Sequence, residues 1–539
     1  MSTKIQTSFG HALPPAPRHA ITTHVPTWRS LERFRDHDPV LMSSFTSMYP
    51  RFWIHPDIVQ LSSKITEFAG EKEKACFIFP SIQTAEHAVA YSTSSGRGKD
   101  AVPADQIAIR IFMAQIPLFV VFFPPPAAGV VHGFWVHAGS GISSRLAEET
   151  LKHLDRLTEM QVDDPRLVRA ADSPAHTTLR QRIAGLLERA PAGPPREKKV
   201  GEHDVYLFQT GMSSIYWVHQ YLLSKYNSTS VLFGFAFHST IHILEDFGPG
   251  SEFLGLGTGE EIDKLEQHLS VLSQQGKTPQ AIWAEFPSNP LLVTPDLFRL
   301  RKLADKHGVL LIIDETIASF CSVDLLGVAD IVVSSLTKSF SGYADLMAAS
   351  AVLNPSSKRY DELKELFSNQ YVNNFFAADA EKLEQNSRNY LERSAVLNNN
   401  AERVVEYLQA QVANPNSCLK KVYYPTVSAS LDNYKPFMRQ TTPDFKPGYG
   451  SLLSVEFNTL DATVAFYNNL NVHQGPHFGA HLSLSMGYTI GIYGKDLDWA
   501  AKYGLVTEQV RIGVGLEDTQ ELLAVVKEAL AAADALVKN

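Results

Sequence analysis

The run Asp330-Ile331-Val332-Val333-Ser334-Ser335-Leu336-Thr337-Lys338-Ser339-Phe340-Ser341-Gly342 passes from β-branched apolar residues to hydroxyls, one lysine and small residues that let the chain turn. It reads as a buried strand, Ile331–Ser334, with Lys338 just past its carboxyl end. An isolated lysine is most often a solvated surface residue. One fixed at a strand end beside a serine and a threonine instead suits covalent capture of an aldehyde cofactor that carries a phosphate. Pyridoxal 5′-phosphate (PLP) has that chemistry: the lysine amine makes the Schiff base and nearby hydroxyls hold the phosphate.

Upstream, Val205–Phe208, Ser230–Phe235, Ala281–Phe286 and Val309–Ile313 are further short apolar runs, with amphipathic stretches such as Asp296–His307 between them. Strand, turn and helix in alternation predict an α/β unit with a mostly parallel sheet, whose ligand sits at the strand carboxyl ends. Three of those ends carry fitting groups. Thr210-Gly211-Met212-Ser213 turns into a helix whose free N–H groups form an anion site, although a simple cap is the plainer reading. Asp314, in Ile312-Ile313-Asp314-Glu315-Thr316, can keep a pyridine nitrogen protonated, which makes the ring an electron sink. Asn289, between Pro287 and Pro290, offers an amide to a cofactor's ring oxygen. Each group alone is ordinary; their succession, each after an apolar strand, points to one site.

The 539 residues exceed what one hydrophobic core usually supports, so two or three domains are expected. A net charge of −9 gives no electrostatic reason to expect nucleic acid or an anionic membrane as partner. The three cysteines, Cys76, Cys321 and Cys418, lie far apart and show no disulfide or zinc spacing, which fits a reducing compartment and no metal. The first residues lack the apolar core of a secretory signal, and Ile116–Val131 is broken by prolines, so it reads as a buried strand and stiff turn rather than a membrane helix. A cytoplasmic protein is expected. Residues 1–50 are predicted to be an irregular arm, flexible or wrapped on the surface. Residues 51–136 form a small α/β extension with no evident chemistry, and 137–204 an arm with a helix and exposed linker. Residues 205–394 form the large cofactor domain, and 395–539 an α/β domain closing on an amphipathic helix near Leu516–Lys538.

From about Gly139 onward the chain resembles the cystathionine γ-synthase branch of the Cys/Met-metabolism PLP enzymes. Ser335-Leu336-Thr337-Lys338 matches that family's Ser-x-Thr-Lys signature, with Gly342 and Asp345 behind it. Thr210-Gly211-Met212 stands where the family has Ser-Gly-Met, and Glu285–Pro290 stands for its Glu-x-Pro-Ser-Asn-Pro. The long first segment and Phe286–Leu292 are most similar to the fungal type. The resemblance implies an α/β protein of PLP-dependent transferase fold type I, with a smaller C-terminal α/β domain and an extra N-terminal α/β segment. It implies that Lys338 is the Schiff-base lysine and proton shuttle, and that Asp314 holds the pyridinium. It implies that Gly211, Met212, Ser335 and Thr337 hold the phosphate, with Thr316 and Asn289 also at the cofactor. Val510-Arg511-Ile512-Gly513-Val514-Gly515 resembles the family's Arg-x-Ser-Val-Gly, so Arg511, with Asn289, would bind the substrate carboxylate. Gly141-Ile142-Ser143-Ser144-Arg145 is similar to the segment that reaches a neighbour's phosphate, so Arg145 and residues 137–204 would face a partner in a homodimer or homotetramer.

The chain also departs from the family. Phe237 stands where a tyrosine usually stacks on the cofactor ring, so the stacking face survives and the hydroxyl does not; His238 is a candidate replacement base. Ser144 replaces the tyrosine before the interface arginine. The activity implied is γ-replacement on an O-activated L-homoserine such as O-acetyl-L-homoserine, through a vinylglycine-type intermediate attacked at Cγ, with cysteine as nucleophile. The altered pocket leaves open a specialised enzyme using a carbon or nitrogen nucleophile to make a non-proteinogenic amino acid. A β- or γ-elimination lyase and a non-catalytic PLP-fold binding protein are the further alternatives.

Overall fold

The computed structural model describes residues 5–167 and 172–537. Three sheets follow one another along the chain. The first is antiparallel, with strand order β1 (Ala75–Phe79), β3 (Pro117–Phe123), β2 (Ala108–Met113), β4 (Thr158–Met160). Its central strand β3 is the run read as a buried strand before a proline turn, and Leu118 and Val120–Phe123 are fully buried in it. Because β4 comes from beyond position 136, this sheet crosses the boundary expected there.

The second sheet has seven strands in the order β5 (Val205–Phe208), β11 (Ala349–Leu353), β10 (Ile331–Ser334), β9 (Leu310–Asp314), β8 (Ala281–Glu285), β6 (Ser230–Phe233), β7 (Ser251–Leu254). β11 alone runs opposite to the other six strands. Helices cover both faces, so the central strands are apolar throughout: Leu310–Ile313 and Ala281–Trp283 are 2% exposed or less. Each buried leucine or isoleucine there contributes about 1.5–3 kcal/mol. The carboxyl ends of β8, β9 and β10 therefore stand side by side, in register from Glu285↔Asp314 to Val333↔Asp314.

The third sheet orders β12 (Leu419–Tyr423), β13 (Leu452–Phe457), β16 (Gln509–Gly513), β15 (Leu484–Met486) and β14 (His473–Gln474). A 23-residue helix, Tyr390–Val412, runs straight through position 395 and joins the second sheet to the third. The closing helix is Thr519–Val537; Lys538, where it was expected to end, lies outside the described residues.

Residues 5–50 are packed rather than loose. Leu13, Ile21, Val25, Trp28 and Leu31 are buried, and two helices, Trp28–Arg35 and Pro39–Ser43, form within them. Val25 N–H donates to the Gln474 carbonyl at 2.8 Å and Trp28 N–H to Asn468 Oδ1 at 2.8 Å, which docks the arm on the third sheet. Among the described residues no helix is long and apolar enough to cross a membrane.

Candidate active site

Lys338 lies four residues past β10, on a turn locked from behind. Gly342 has φ +76°, and a Cβ there would fall on the Arg393 guanidinium, which donates to the Ser339 and Phe340 carbonyls at 2.8 and 2.9 Å. Only glycine lets that arginine close the turn. Lys338 Nζ shares a 3.4 Å hydrogen bond with His477 Nδ1 and stands 4.8 Å from the Phe478 ring centre and 5.1 Å from that of Tyr49. Enclosure, followed by the charges of Arg511 and Arg51, pushes its amine well below the usual lysine value. A deprotonated amine is the form that attacks a carbonyl carbon or takes a proton.

Next to it, β9 ends in Asp314 and β8 in Glu285. Thr316 donates to Asp314 Oδ1 through both its N–H, at 2.9 Å, and its hydroxyl, and its oxygen accepts the Ser335 N–H at 2.8 Å. Glu285 accepts the N–H of Phe237 at 2.6 Å and of Asn289 at 3.1 Å. Burial raises Asp314 against those Thr316 hydrogen bonds; burial and the charge of Asp314 raise Glu285 well above the ordinary carboxylate range. Burial thus biases both carboxyls toward their neutral forms, and the neighbouring Asp314 charge adds to this at Glu285.

The helix Gly211–Tyr226 opens on the same space. Thr210 caps it by accepting the Ser213 N–H at 2.9 Å, which leaves the N–H groups of Gly211 and Met212 at the first turn outside the helical ladder. A Cβ at Gly211 would come within 3.0 Å of Ser335, so strand end and helix start meet with little to spare. Phe237, the cap of the next helix, presents its ring to the cavity.

Two arginines face this cavity without a carboxylate in ion-pair range among the described residues. Arg511, 4% exposed, donates to Asn289 Oδ1 at 3.2 Å and lies 4.2 Å over the Tyr488 ring. Arg51, 3% exposed, donates to the Val136 carbonyl and to Ser239 Oγ. A buried, unpaired guanidinium is costly, so both are poised for anions that arrive with a ligand. The space they line, counted together with the open solvent at its mouth, is about 810 Å³.

Of the residues singled out in the sequence, Lys338, Asp314, Thr316, Gly211, Met212, Ser335, Asn289, Phe237 and Arg511 all line this one cavity. Three do not. Thr337 is fully buried and spends its hydroxyl on the carbonyl and N–H of Ala348, at 3.1 and 3.0 Å, bracing the turn instead of facing the ligand space. Arg145 pairs with Asp379 at 3.0 Å and with the Asp345 carbonyl, beside a separate cavity. His238 turns its ring to His242, 3.2 Å away, and burial pushes it down to about 4. The sequence reading assigned no role to Tyr49, Arg51, Glu285, His477, Phe478 or Tyr488. Tyr49 and Tyr488 bring phenols into a site whose stacking residue, Phe237, has none.

This set fits PLP: a lysine amine whose burial favours the neutral form, a strand-end carboxylate for the ring nitrogen, free helix N–H groups with Ser335 for phosphate, and a guanidinium fork for a substrate carboxylate. Comparison with known proteins agrees. Residues 198–531 match the family described as Cys/Met metabolism PLP-dependent enzyme, and residues 57–143 match the fungal trans-sulfuration enzyme N-terminal domain. A cystathionine gamma-synthase-like enzyme of Amanita muscaria is 33% identical, over 97% of this chain and 96% of its own. A protein of Aspergillus violaceofuscus named alanine racemase is 34% identical, over 96% of each chain. The crystal structure of cystathionine gamma synthase from Xanthomonas oryzae shares the fold, with a TM-score of 0.54 and 21% identity over 70% of this chain and 91% of that one.

Proposed function

The chain belongs to the Cys/Met metabolism PLP-dependent enzymes, and from that premise we propose that it replaces the γ-substituent of an O-activated L-homoserine, such as O-acetyl-L-homoserine, with a second nucleophile. The observation that carries this reading is the convergence of Lys338 Nζ, the Asp314 carboxylate and the unpaired Arg511 fork on one cavity, in a chain whose relatives include cystathionine gamma-synthases. When bound, PLP supplies an aldehyde carbon for covalent capture and a ring that draws electrons from the substrate's Cα. Arg511, held by Asn289 and backed by Tyr488, orients the substrate through its carboxylate. Lys338, freed as an amine, takes the Cα proton at Nζ and next serves the Cβ proton, and His477 Nδ1 stabilises the amine by its hydrogen bond. Asp314, held by Thr316, would keep the proton on the ring nitrogen, and the burial of Glu285 disfavours a second negative charge beside it. The apolar walls, Phe237, Phe478, Ile317 and Ile492, exclude water from the γ-carbon.

The nucleophile is the cysteine thiol in a cystathionine γ-synthase, or a carbon or nitrogen nucleophile in a specialised relative. The relative named alanine racemase favours a second reading, in which the Cα proton leaves and returns without loss at Cγ; Lys338, Asp314 and Arg511 serve that step equally. Assembly as a homodimer or homotetramer through the Arg145 segment accompanies either reading. Incubation of the PLP-loaded protein with O-acetyl-L-homoserine and, in turn, cysteine, an enolisable ketone and an amine, with products identified by mass spectrometry, tests the proposal. A γ-substituted amino acid supports it. Absence of any γ-product, with L-alanine converted to the racemate, rejects it for the second reading.

A further inference from the structure

Among the described residues, the cavity holds one cation that the proposed chemistry leaves without a task, Arg51. It belongs to Tyr49-Pro50-Arg51-Phe52, where the N-terminal arm passes into the α/β extension, and it is held there by the first sheet's helix Ala128–Ala138. Trp135 Nε1 donates to the Pro50 carbonyl at 3.2 Å, and the Val136 carbonyl accepts from Arg51 Nη1. The guanidinium stands 5.5 Å from the Phe237 ring centre and 4.9 Å from that of Phe52. Its stem runs beside the start of the helix Gly211–Tyr226: a Cβ at Gly139 would lie 3.0 Å from Met212 Cβ and 3.2 Å from Arg51 Cδ. Burial lowers the affinity of this guanidinium for its proton, with only the phenols of Tyr49 and Tyr488 opposing.

Arg51 and Arg511 thus stand apart in role. Arg511 sits with Asn289 on the third-sheet side, where a substrate carboxylate is expected. Arg51 lines the same cavity as Gly211 and Met212, whose N–H groups open the helix where a phosphate is expected. Main-chain donors and one desolvated guanidinium together suit a phosphate monoester dianion. We propose that Arg51 is the cofactor phosphate's counter-charge, supplied from within the chain, and that the N-terminal sheet serves to clamp the arm so that this charge stays in the cavity. The inference rests on the PLP reading above and gives the first 135 residues a part in cofactor binding.

The test compares full-length wild type with Arg51→Gln and Arg51→Lys, titrating the cofactor-free proteins with PLP and with pyridoxal, which lacks the phosphate. Arg51→Gln is expected to weaken PLP by about 10–150-fold, the worth of hydrogen bonds to a charged group, while pyridoxal affinity stays within about 3-fold, and Arg51→Lys falls between. Inorganic phosphate is expected to raise the melting temperature of the wild type and not of Arg51→Gln. Should the variant fail to fold, arginine modification by phenylglyoxal on the wild type decides: phosphate and PLP, but not pyridoxal, should shield Arg51 in the peptide map. Unchanged PLP affinity in a folded variant, parallel loss of PLP and pyridoxal, or equal labelling of Arg51 with and without phosphate overturns the proposal. So does a variant whose only defect is a raised KM for a carboxylate-bearing co-substrate. Failure of the PLP reading itself looks different, since then even the wild type binds neither aldehyde covalently at Lys338.

Discussion

Arg511→Gln separates a substrate clamp from a structural arginine. The guanidinium is buried, has one 3.2 Å hydrogen bond to Asn289 and one ring, Tyr488, at 4.2 Å, and has no carboxylate partner among the described residues. In the free protein its removal takes away an uncompensated charge, so stability is expected to be unchanged or higher. In the complex, the substrate carboxylate is left in the cavity without its fork. Breaking a buried ion pair from one side costs about 3–5 kcal/mol; with a glutamine amide replacing part of the contact, about 3 kcal/mol is expected, or roughly 150-fold in kcat/KM. The assay is titration of the PLP-loaded protein with an amino acid and with the corresponding amine lacking the carboxylate, followed by the change in cofactor absorbance. The wild type should prefer the amino acid by about the factor that Arg511→Gln abolishes. A variant that loses amine and amino acid affinity equally, or loses neither, refutes the clamp.

Asp314→Asn is expected to keep the cofactor bound while kcat falls about 10²–10⁴-fold, the range for loss of a positioned proton-holding group; kcat within 3-fold of wild type would remove Asp314 from the site's chemistry. Glu315 is 1% exposed, and burial raises it well above the ordinary 4.5, against the opposing hydrogen bond of Ser334. Its raised folded-state affinity for the proton means that wild-type stability falls as pH climbs from about 4.5 toward the folded value. Glu315→Gln should therefore become more stable than wild type as pH rises, the gap widening by at most about 1.4 kcal/mol per pH unit. Urea midpoints at pH 5 and pH 8 check it, and a gap that does not change with pH contradicts it.

Strands β5 and β10 were legible to the residue, since both are short, wholly buried β-branched or apolar runs between turn signals. The strands β6, β8 and β9 were legible to within two residues at each end. β7 escaped because it is an edge strand in which only Leu254 is buried, and β11 because Ala349-Ser350-Ala351 carries little of the strand signature. Asp314 and Lys338 were readable because each breaks an apolar run at a strand's carboxyl end, where the ligands of an α/β sheet bind. The arm's contribution was not: Pro-rich, aperiodic sequence says nothing about where it docks, and the docking of Tyr49 and Arg51 depends on Trp135 and Val136, some 85 positions away. The aromatic cluster Tyr49–Trp53 around one arginine was the available signal. Thr337 shows the converse, a motif residue whose chemistry suggested a ligand and whose hydroxyl is consumed by Ala348.

The most direct measurement is borohydride reduction of the PLP-reconstituted protein followed by peptide mapping. The cofactor's mass should appear on Lys338 alone, with Lys338→Ala colourless and unlabelled. A wild-type protein that stays colourless, or carries the label on another lysine, contradicts the account.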